Sequence, residues 1–88
     1  MNLNDYKNEA KEFLIKIDNF GKNQSQKLVW LEKEFELLKS AVEDADNQAI
    51  SHQIYDMMYL LFEIAADNNC DLNSEWARGK SKKNKYTK

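Results

Sequence analysis

The sequence has few residues that break helices and no pattern that favours strands. It contains no proline and only two glycines, Gly21 and Gly79. Alternation of apolar and polar residues, which is typical of half-buried strands, is absent. Leucine, glutamate, lysine and alanine, which favour helices, are common. The composition therefore predicts an all-α protein of long helices joined by short polar turns.

Disulfides and long apolar runs are also missing. The single cysteine, Cys70, has no partner for an internal disulfide. No N-terminal segment has the apolar run of a signal peptide or of a membrane span. We therefore expect a soluble, cytoplasmic protein without a membrane partner. Its 88 residues suffice for one domain, residues 1–88, with a modest core. We expect that a homo-oligomer, a dimer or a tetramer, completes this core.

The small net charge of −2 hides an asymmetry along the chain. Residues 1–76 hold fifteen acidic residues and seven lysines, a charge of −8, whereas residues 77–88 hold six basic residues and no acid. The segment 79–88 is thus a basic tail, which we expect to be flexible, on an acidic body. Apart from Tyr86 the tail has no interleaved aromatic residues, so nucleic acid is not the expected partner.

Apolar spacing places four helices in an antiparallel bundle. The first runs from about Asn4 to Asn19. The second begins near Asn23 or Ser25 and carries a seam of apolar residues at steps of three and four. The third begins at Asp46 or Asn47, is the most apolar, and is expected at the centre. A short fourth begins after Asp71, with Trp76 on its inner face. The predicted seam of the second helix consists of Leu28, Leu31, Phe35, Leu38 and Val42.

Three carboxylates lie where a metal site between two helices would need them. Glu32 and Glu36 are four residues apart and so project from one side of the second helix. Asp56 lies within an apolar stretch of the third helix. Two or three carboxylates suffice for Mg²⁺ when a substrate phosphate completes the coordination shell. The same spacing of glutamates is also typical of a solvated helix face.

The segments around these carboxylates resemble the MazG-like family of all-α nucleoside triphosphate pyrophosphohydrolases. The segment 27–37, KLVWLEKEFEL, resembles the family's Glu-Glu-x-x-Glu motif, and 53–61, QIYDMMYLL, resembles its Glu-x-x-Asp motif. The segment 65–72, AADNNCDL, and the basic run 79–86, GKSKKNKY, continue the similarity. The resemblance thus covers residues 25–86.

The resemblance implies a fold, an activity and a set of site residues. The fold is the MazG-like helical bundle, and the activity is release of pyrophosphate from a nucleoside triphosphate with Mg²⁺ or Mn²⁺. Glu32, Glu36 and Asp56 would bind the metal. The residues that would approach the triphosphate are Lys80, Lys83, Asn84 and Lys85.

The resemblance has two departures at the metal site. Lys33 on the second helix and Gln53 on the third stand where the family has metal-binding glutamates. His52 precedes Gln53 on the third helix. An ammonium group inside a magnesium site adds repulsion. These three residues would therefore surround the site without binding the metal. The alternative interpretation is a catalytically inactive MazG-like module that binds a nucleotide or a protein partner, with Lys33 paired to Glu36 and Asp56.

Overall fold

The chain forms four α-helices in a computed structural model that describes residues 1–86. They are α1 (Leu3–Lys16), α2 (Gln24–Glu43), α3 (Asn47–Asp67) and α4 (Leu72–Lys83). Within residues 1–86 there is no strand. The predicted all-α class and the number of helices are confirmed. Helix α4 continues through Gly79 into the segment that was expected to be flexible, and residues 87 and 88 lie outside the described residues.

The helix starts follow from capping side chains. Asp46 accepts a hydrogen bond from the amide of Ala49 at 3.1 Å, and Asp71 accepts one from the amide of Ser74 at 3.1 Å. Each satisfies a backbone donor that the first turn leaves free, as an N-cap should. Asp46 and Asp71 are thus confirmed as caps. Asn23 precedes α2 in a left-handed conformation, and its side chain does not cap the helix.

The turn between α2 and α3 is a compact reversal. The amide of Asp46 donates to the carbonyl of Ala41, and that of Ala45 donates to the carbonyl of Val42, so the last carbonyls of α2 are satisfied. This arrangement needs a residue with positive φ, and Ala45 adopts it at +54°. The turn leaves α2 and α3 side by side as an antiparallel hairpin, with α3 at the centre of the molecule between α1 and α2.

Helix α4 is attached mainly through the first turn of α1. The side-chain NH2 group of Asn4 donates to the carboxylate of Asp71 at 3.0 Å, and the side-chain oxygen of Asn4 accepts from the backbone amide of Leu72 at 2.9 Å. The bond from Asn4, followed by those from Ser74, lowers the pKa of Asp71 to about 2. The prediction that Trp76 lies on an inner face is wrong, because α4 does not pack along the bundle and Trp76 is 68% exposed.

The apolar core of the single chain is very small. It consists of Ala10 and Leu14 of α1, Ala41 of α2, and Ala65 and Ala66 of α3. Aromatic pairs extend it at the α1–α3 contact, where rings of α1 meet rings of α3 at centroid distances of 5.8 and 5.9 Å. Four alanines and one leucine remove little apolar surface from water.

Only part of the apolar seam predicted for α2 packs against α3. Leu31 and Leu38 face α3, but the rest of the inward stripe has Lys27, Glu34 and Ala41 where Leu28, Phe35 and Val42 were expected. Both stripes follow steps of three and four residues, and they lie about 100° apart around the helix. The other three residues of the predicted seam are exposed: Leu28 at 52%, Phe35 at 47% and Val42 at 57%.

Lys27 is fully buried and ties three parts of the chain together. Its ammonium group bonds the carboxylate of Asp67 and donates to the carbonyls of Asn19 and Lys22, each at 3.0 Å. The second carboxylate oxygen of Asp67 accepts from the amide of Gly21 at 2.7 Å. All three ammonium donors are therefore used, as a buried charge requires.

None of the four helices in the described part of the chain is both long and apolar enough to cross a membrane.

Candidate functional site

An acidic groove runs between α1 and α2 over the surface of α3. All three helices contribute to it, and its volume is about 670 Å³. Four of its side chains are carboxylates, which we name together as the acidic groove residues: Glu9, Glu34, Asp56 and Glu63. Its remaining walls are mostly aromatic and come from Phe13, Trp30, Tyr55 and Tyr59, with Leu60.

Glu63 is the most deeply buried of the groove carboxylates. It is 6% exposed, and in the part of the chain that the structure describes it makes neither an ion pair nor a side-chain hydrogen bond. Burial raises the pKa of the Glu63 carboxyl, Lys27 opposes that rise, and Asp67 adds to it. Lys27 bonds Asp67, so Glu63 has no ion partner of its own.

Two more oxygens near this groove lack partners. Oε2 of Glu34, on the wall formed by α2, and Oε1 of Gln53, one turn before Asp56 on α3, are buried without a hydrogen bond among residues 1–86. Buried polar atoms in folded proteins nearly always have a partner. Of these two residues only Glu34 lines the acidic groove, where Glu63 also lacks an ion partner, which indicates a site that is incomplete in the single chain.

Aromatic rings form one wall of the groove. Phe13 meets Tyr59 edge to face at 5.9 Å, and Tyr55 lies 6.0 Å from Tyr59. Burial is the main cause that raises the pKa of the Tyr59 phenol, and the negative field of Glu63 raises it further, followed by those of Tyr55 and Glu9. The phenol of Tyr59 is therefore neutral at pH 7 and available as a hydrogen-bond donor.

The predicted metal ligands lie in two different grooves. Glu32 and Glu36 are exposed on the outer side of α2, where with Lys33, Phe35 and neighbouring apolar residues they line a groove of about 600 Å³ that we call the Lys33 groove. Asp56 lines the acidic groove instead. The single chain thus brings Glu32 and Glu36 together and leaves Asp56 apart from them.

The residues expected around the metal have other roles in the single chain. Within the described residues Lys33 forms no ion pair; Glu36 is instead 3.8 Å from Lys39, and Asp56 is 3.1 Å from Nε2 of His52. The proposed pairing of Lys33 with Glu36 and Asp56 is therefore not present. Gln53 is half-buried, and His52 is exposed.

The side chains of residues 1–86 do not form a ready metal site. No three histidine, cysteine, aspartate or glutamate residues among them are grouped closely enough to hold an ion. A magnesium site needs several oxygen ligands in near-octahedral geometry, and Lys33 lies beside the two glutamates that α2 offers. The donors of the single chain therefore do not fit Mg²⁺, and the assignment of Glu32, Glu36 and Asp56 as ligands stays a prediction.

Three of the four residues predicted to approach a triphosphate share one groove. Lys80, Lys83 and Asn84 line a cleft between α4 and Leu3 at the start of α1. Lys85 is not among its lining residues, and the cleft shares no residue with the acidic groove or the Lys33 groove. The structure thus groups Lys80, Lys83 and Asn84 but does not bring them to the carboxylates of the other two grooves.

The sequence does not single out Glu9, Glu34 or Glu63 as site residues. One signal was available: Glu34 is seven residues from both Lys27 and Ala41 and so shares their stripe.

Comparisons of the chain with protein-family models, with curated proteins and with solved structures found no match.

Proposed function

We propose that the chain is a non-catalytic helical module, MazG-like in type, that acts by binding and first associates with a second copy of itself. The observation that carries this proposal is the outward stripe of α2. Lys27 and Glu34 lie on the stripe that packs inside the chain, whereas the wholly apolar stripe of Leu28, Phe35 and Val42 faces outward. Such an arrangement is stable when a partner covers the apolar stripe.

Helix α3 adds three exposed apolar residues to the outward stripe of α2. Ile54, Met58 and Leu61 are each two residues away from Asp56 or Glu63, and two residues correspond to about 200° around a helix. They therefore lie on the side of α3 that faces away from the acidic groove. These six residues, between 44% and 57% exposed, define the apolar face: Leu28, Phe35, Val42, Ile54, Met58 and Leu61.

The area of the chain agrees with a dimer. The surface accessible to solvent is 6814 Å², whereas a compact monomer of this mass has about 5,400 Å². The radius of gyration is 15.0 Å, against about 12 Å for a compact chain of this length. Part of this excess comes from α4, which does not pack along the bundle. If each copy buried all of the excess, the interface would cover at most about 2,800 Å² in total, within the range of obligate homodimers.

The acidic groove argues against a triphosphate as its ligand. Its four carboxylates are close to a low-dielectric wall, and a triphosphate would bring like charge to them. Binding of a nucleotide in the proposed module would therefore depend on Lys80, Lys83, Asn84 and Lys85, which stays a prediction.

Substitutions on the apolar face test the proposal. Met58→Asp or Phe35→Asp places a charge in the proposed interface and is expected to give monomers by sedimentation velocity. Ile15→Asp is the matched control, because Ile15 is 56% exposed on α1 and outside the apolar face. A wild-type chain that sediments as a monomer at every concentration contradicts the proposal, as does equal dissociation of all three variants.

Hydrolysis of a nucleoside triphosphate with Mg²⁺ or Mn²⁺ is the second candidate. The observation that favours it is the position of Glu32 and Glu36, which share the Lys33 groove with Phe35 of the apolar face. Contact with a second copy at that face would bring further side chains to these carboxylates. The proposed dimer is thus compatible with a site shared between two copies.

Release of pyrophosphate separates the two candidates. The hydrolase predicts turnover of at least one nucleoside triphosphate with Mg²⁺ or Mn²⁺, and its loss in Glu36→Gln and in Asp56→Asn. The binding module predicts no turnover and no metal-dependent thermal stabilisation of the wild type. It also predicts that Lys33→Glu combined with Gln53→Glu creates metal binding where there was none.

A further inference from the structure

The acidic groove has more negative charge than the chain itself neutralises. Of its four carboxylates only Asp56 is paired with a cationic group, the exposed His52, which is charged only when protonated. The field of Lys27 reaches Glu63, but its ammonium group is bonded to Asp67. We propose that the groove is a binding site for a linear aliphatic polyamine such as spermidine. This inference deepens the binding function proposed above, but it does not depend on the dimer.

The buried side chain of Glu63 is the first argument for a cationic ligand. A glutamate residue that is 6% exposed and has no ion partner is costly in a folded protein. Lys27 cannot supply the missing bond, because its three donors are used by Asp67, Asn19 and Lys22. The unpartnered Oε2 of Glu34 on the facing helix needs a donor as well. Ammonium groups from outside the chain would satisfy both.

The spread of charge is the second argument, and it favours an amine over a metal ion. A divalent ion needs its ligands within one coordination sphere, and no such group exists in residues 1–86. Asp56 and Glu63 are seven residues apart, which is about 10 Å along the axis of α3. Separated ammonium groups joined by methylene chains match carboxylates that are spread along a groove.

The aromatic wall is the third argument. Methylene groups of a polyamine can pack on the rings of Phe13, Tyr55 and Tyr59, while its ammonium groups are attracted to ring faces. Trp30 of α2 lines the same groove and completes this apolar wall. The carboxylates and the aromatic rings would thus bind different parts of the ligand. An inorganic cation has no methylene groups to pack on the rings.

Calorimetric titration with spermidine tests the inference. Glu63→Gln and Glu34→Gln are each expected to weaken binding at least about tenfold, because each loses a charge-assisted hydrogen bond. Glu43→Gln, an exposed residue at the end of α2 that is outside the groove, removes the same charge and should bind as the wild type does. Equal affinity in Glu63→Gln and Glu43→Gln overturns the proposal.

Two further measurements localise the ligand. In a Trp76→Phe background Trp30 is the only tryptophan, and its fluorescence is expected to change with spermidine and not with Mg²⁺ at equal ionic strength. The same change with Mg²⁺ would mean charge screening and would contradict the site. The monomeric Met58→Asp variant should still bind spermidine, so failure of the dimer and failure of this site are distinguishable.

Discussion

At the scale of single residues, Lys27 shows how a charge can occupy a core position. Its ammonium group has three partners and no exposure, so it joins the loop before α2 to the end of α3. Lysine side chains are almost never fully buried unless they are paired. The burial of Lys27 is explained by its pair with Asp67, forty residues along the chain, together with the two carbonyls of the loop before α2.

We expect Lys27→Met to lower the free energy of unfolding by about 3 to 5 kcal/mol, because it leaves the buried charge of Asp67 without its ion partner. Urea denaturation measures this loss. Combining it with Asp67→Leu should recover much of the stability, since the uncompensated charge is then removed. Lys22→Met is the control, and its exposed pair with Asp18 is expected to contribute less than about 1 kcal/mol. Equal losses in the two single variants would contradict this role for Lys27.

Because Glu63 is buried, we expect the free energy of unfolding to depend on pH. Burial raises the pKa of its carboxyl above the ordinary 4.5, so the folded chain holds a proton that the unfolded chain releases. This contribution is complete below pH 4.5 and is lost as the pH rises through the folded-state pKa. We therefore expect Glu63→Gln to be more stable than the wild type at neutral pH, by on the order of 1 kcal/mol.

Urea denaturation of both chains at several pH values checks this expectation. The advantage of Glu63→Gln should shrink as the pH falls and vanish below 4.5. An advantage that is constant with pH would show that the charge of Glu63 is not its cause. The measurement is made without polyamine, since a bound cation would stabilise the wild type.

At the scale of helices, the sequence predicted where the elements begin more reliably than which side they bury. Asp46 and Asp71 are local capping signals, and both were identified correctly. The buried side of α2 was not, because two stripes with the same spacing lie about 100° apart. Periodicity predicted the more apolar one. Contacts with α3 and with Asp67 favour the other, and these are not visible in local sequence.

The turn after α2 gives a prediction for one element. Ala45 has a φ of +54°, which costs an L-residue about 1 kcal/mol or more. Ala45→Gly is therefore expected to stabilise the chain, by up to about 1 kcal/mol after the greater flexibility of unfolded glycine is subtracted. Thermal unfolding measures the change. Ala49→Gly in the first turn of α3 is the control and should destabilise the chain, by up to about 1 kcal/mol. A loss of stability in both variants would contradict the assignment.

At the scale of the whole molecule, the class of fold and part of the candidate site were predictable. The sequence predicts a site built from carboxylates of the second and third helices, and Asp56 does lie in the acidic groove. Glu9 was missed because it joins this groove only when α1 packs on α3. Glu63 is seven residues after Asp56 and so lies on the same side of α3, a spacing that the sequence does show. The acidic groove and the apolar face lie on different sides of the layer formed by α1, α2 and α3. Which residues share a side depends on how these helices pack, and local sequence does not show that.

The mass of the protein in solution tests the central claim most directly. Sedimentation equilibrium at micromolar and lower concentrations should give a dimer of twice the 10.4 kDa chain, with a thermal midpoint that rises with protein concentration. Such a result would mean that the apolar face is covered by a second copy. A mass of 10.4 kDa throughout this range, with a midpoint independent of concentration, would contradict self-association through that face.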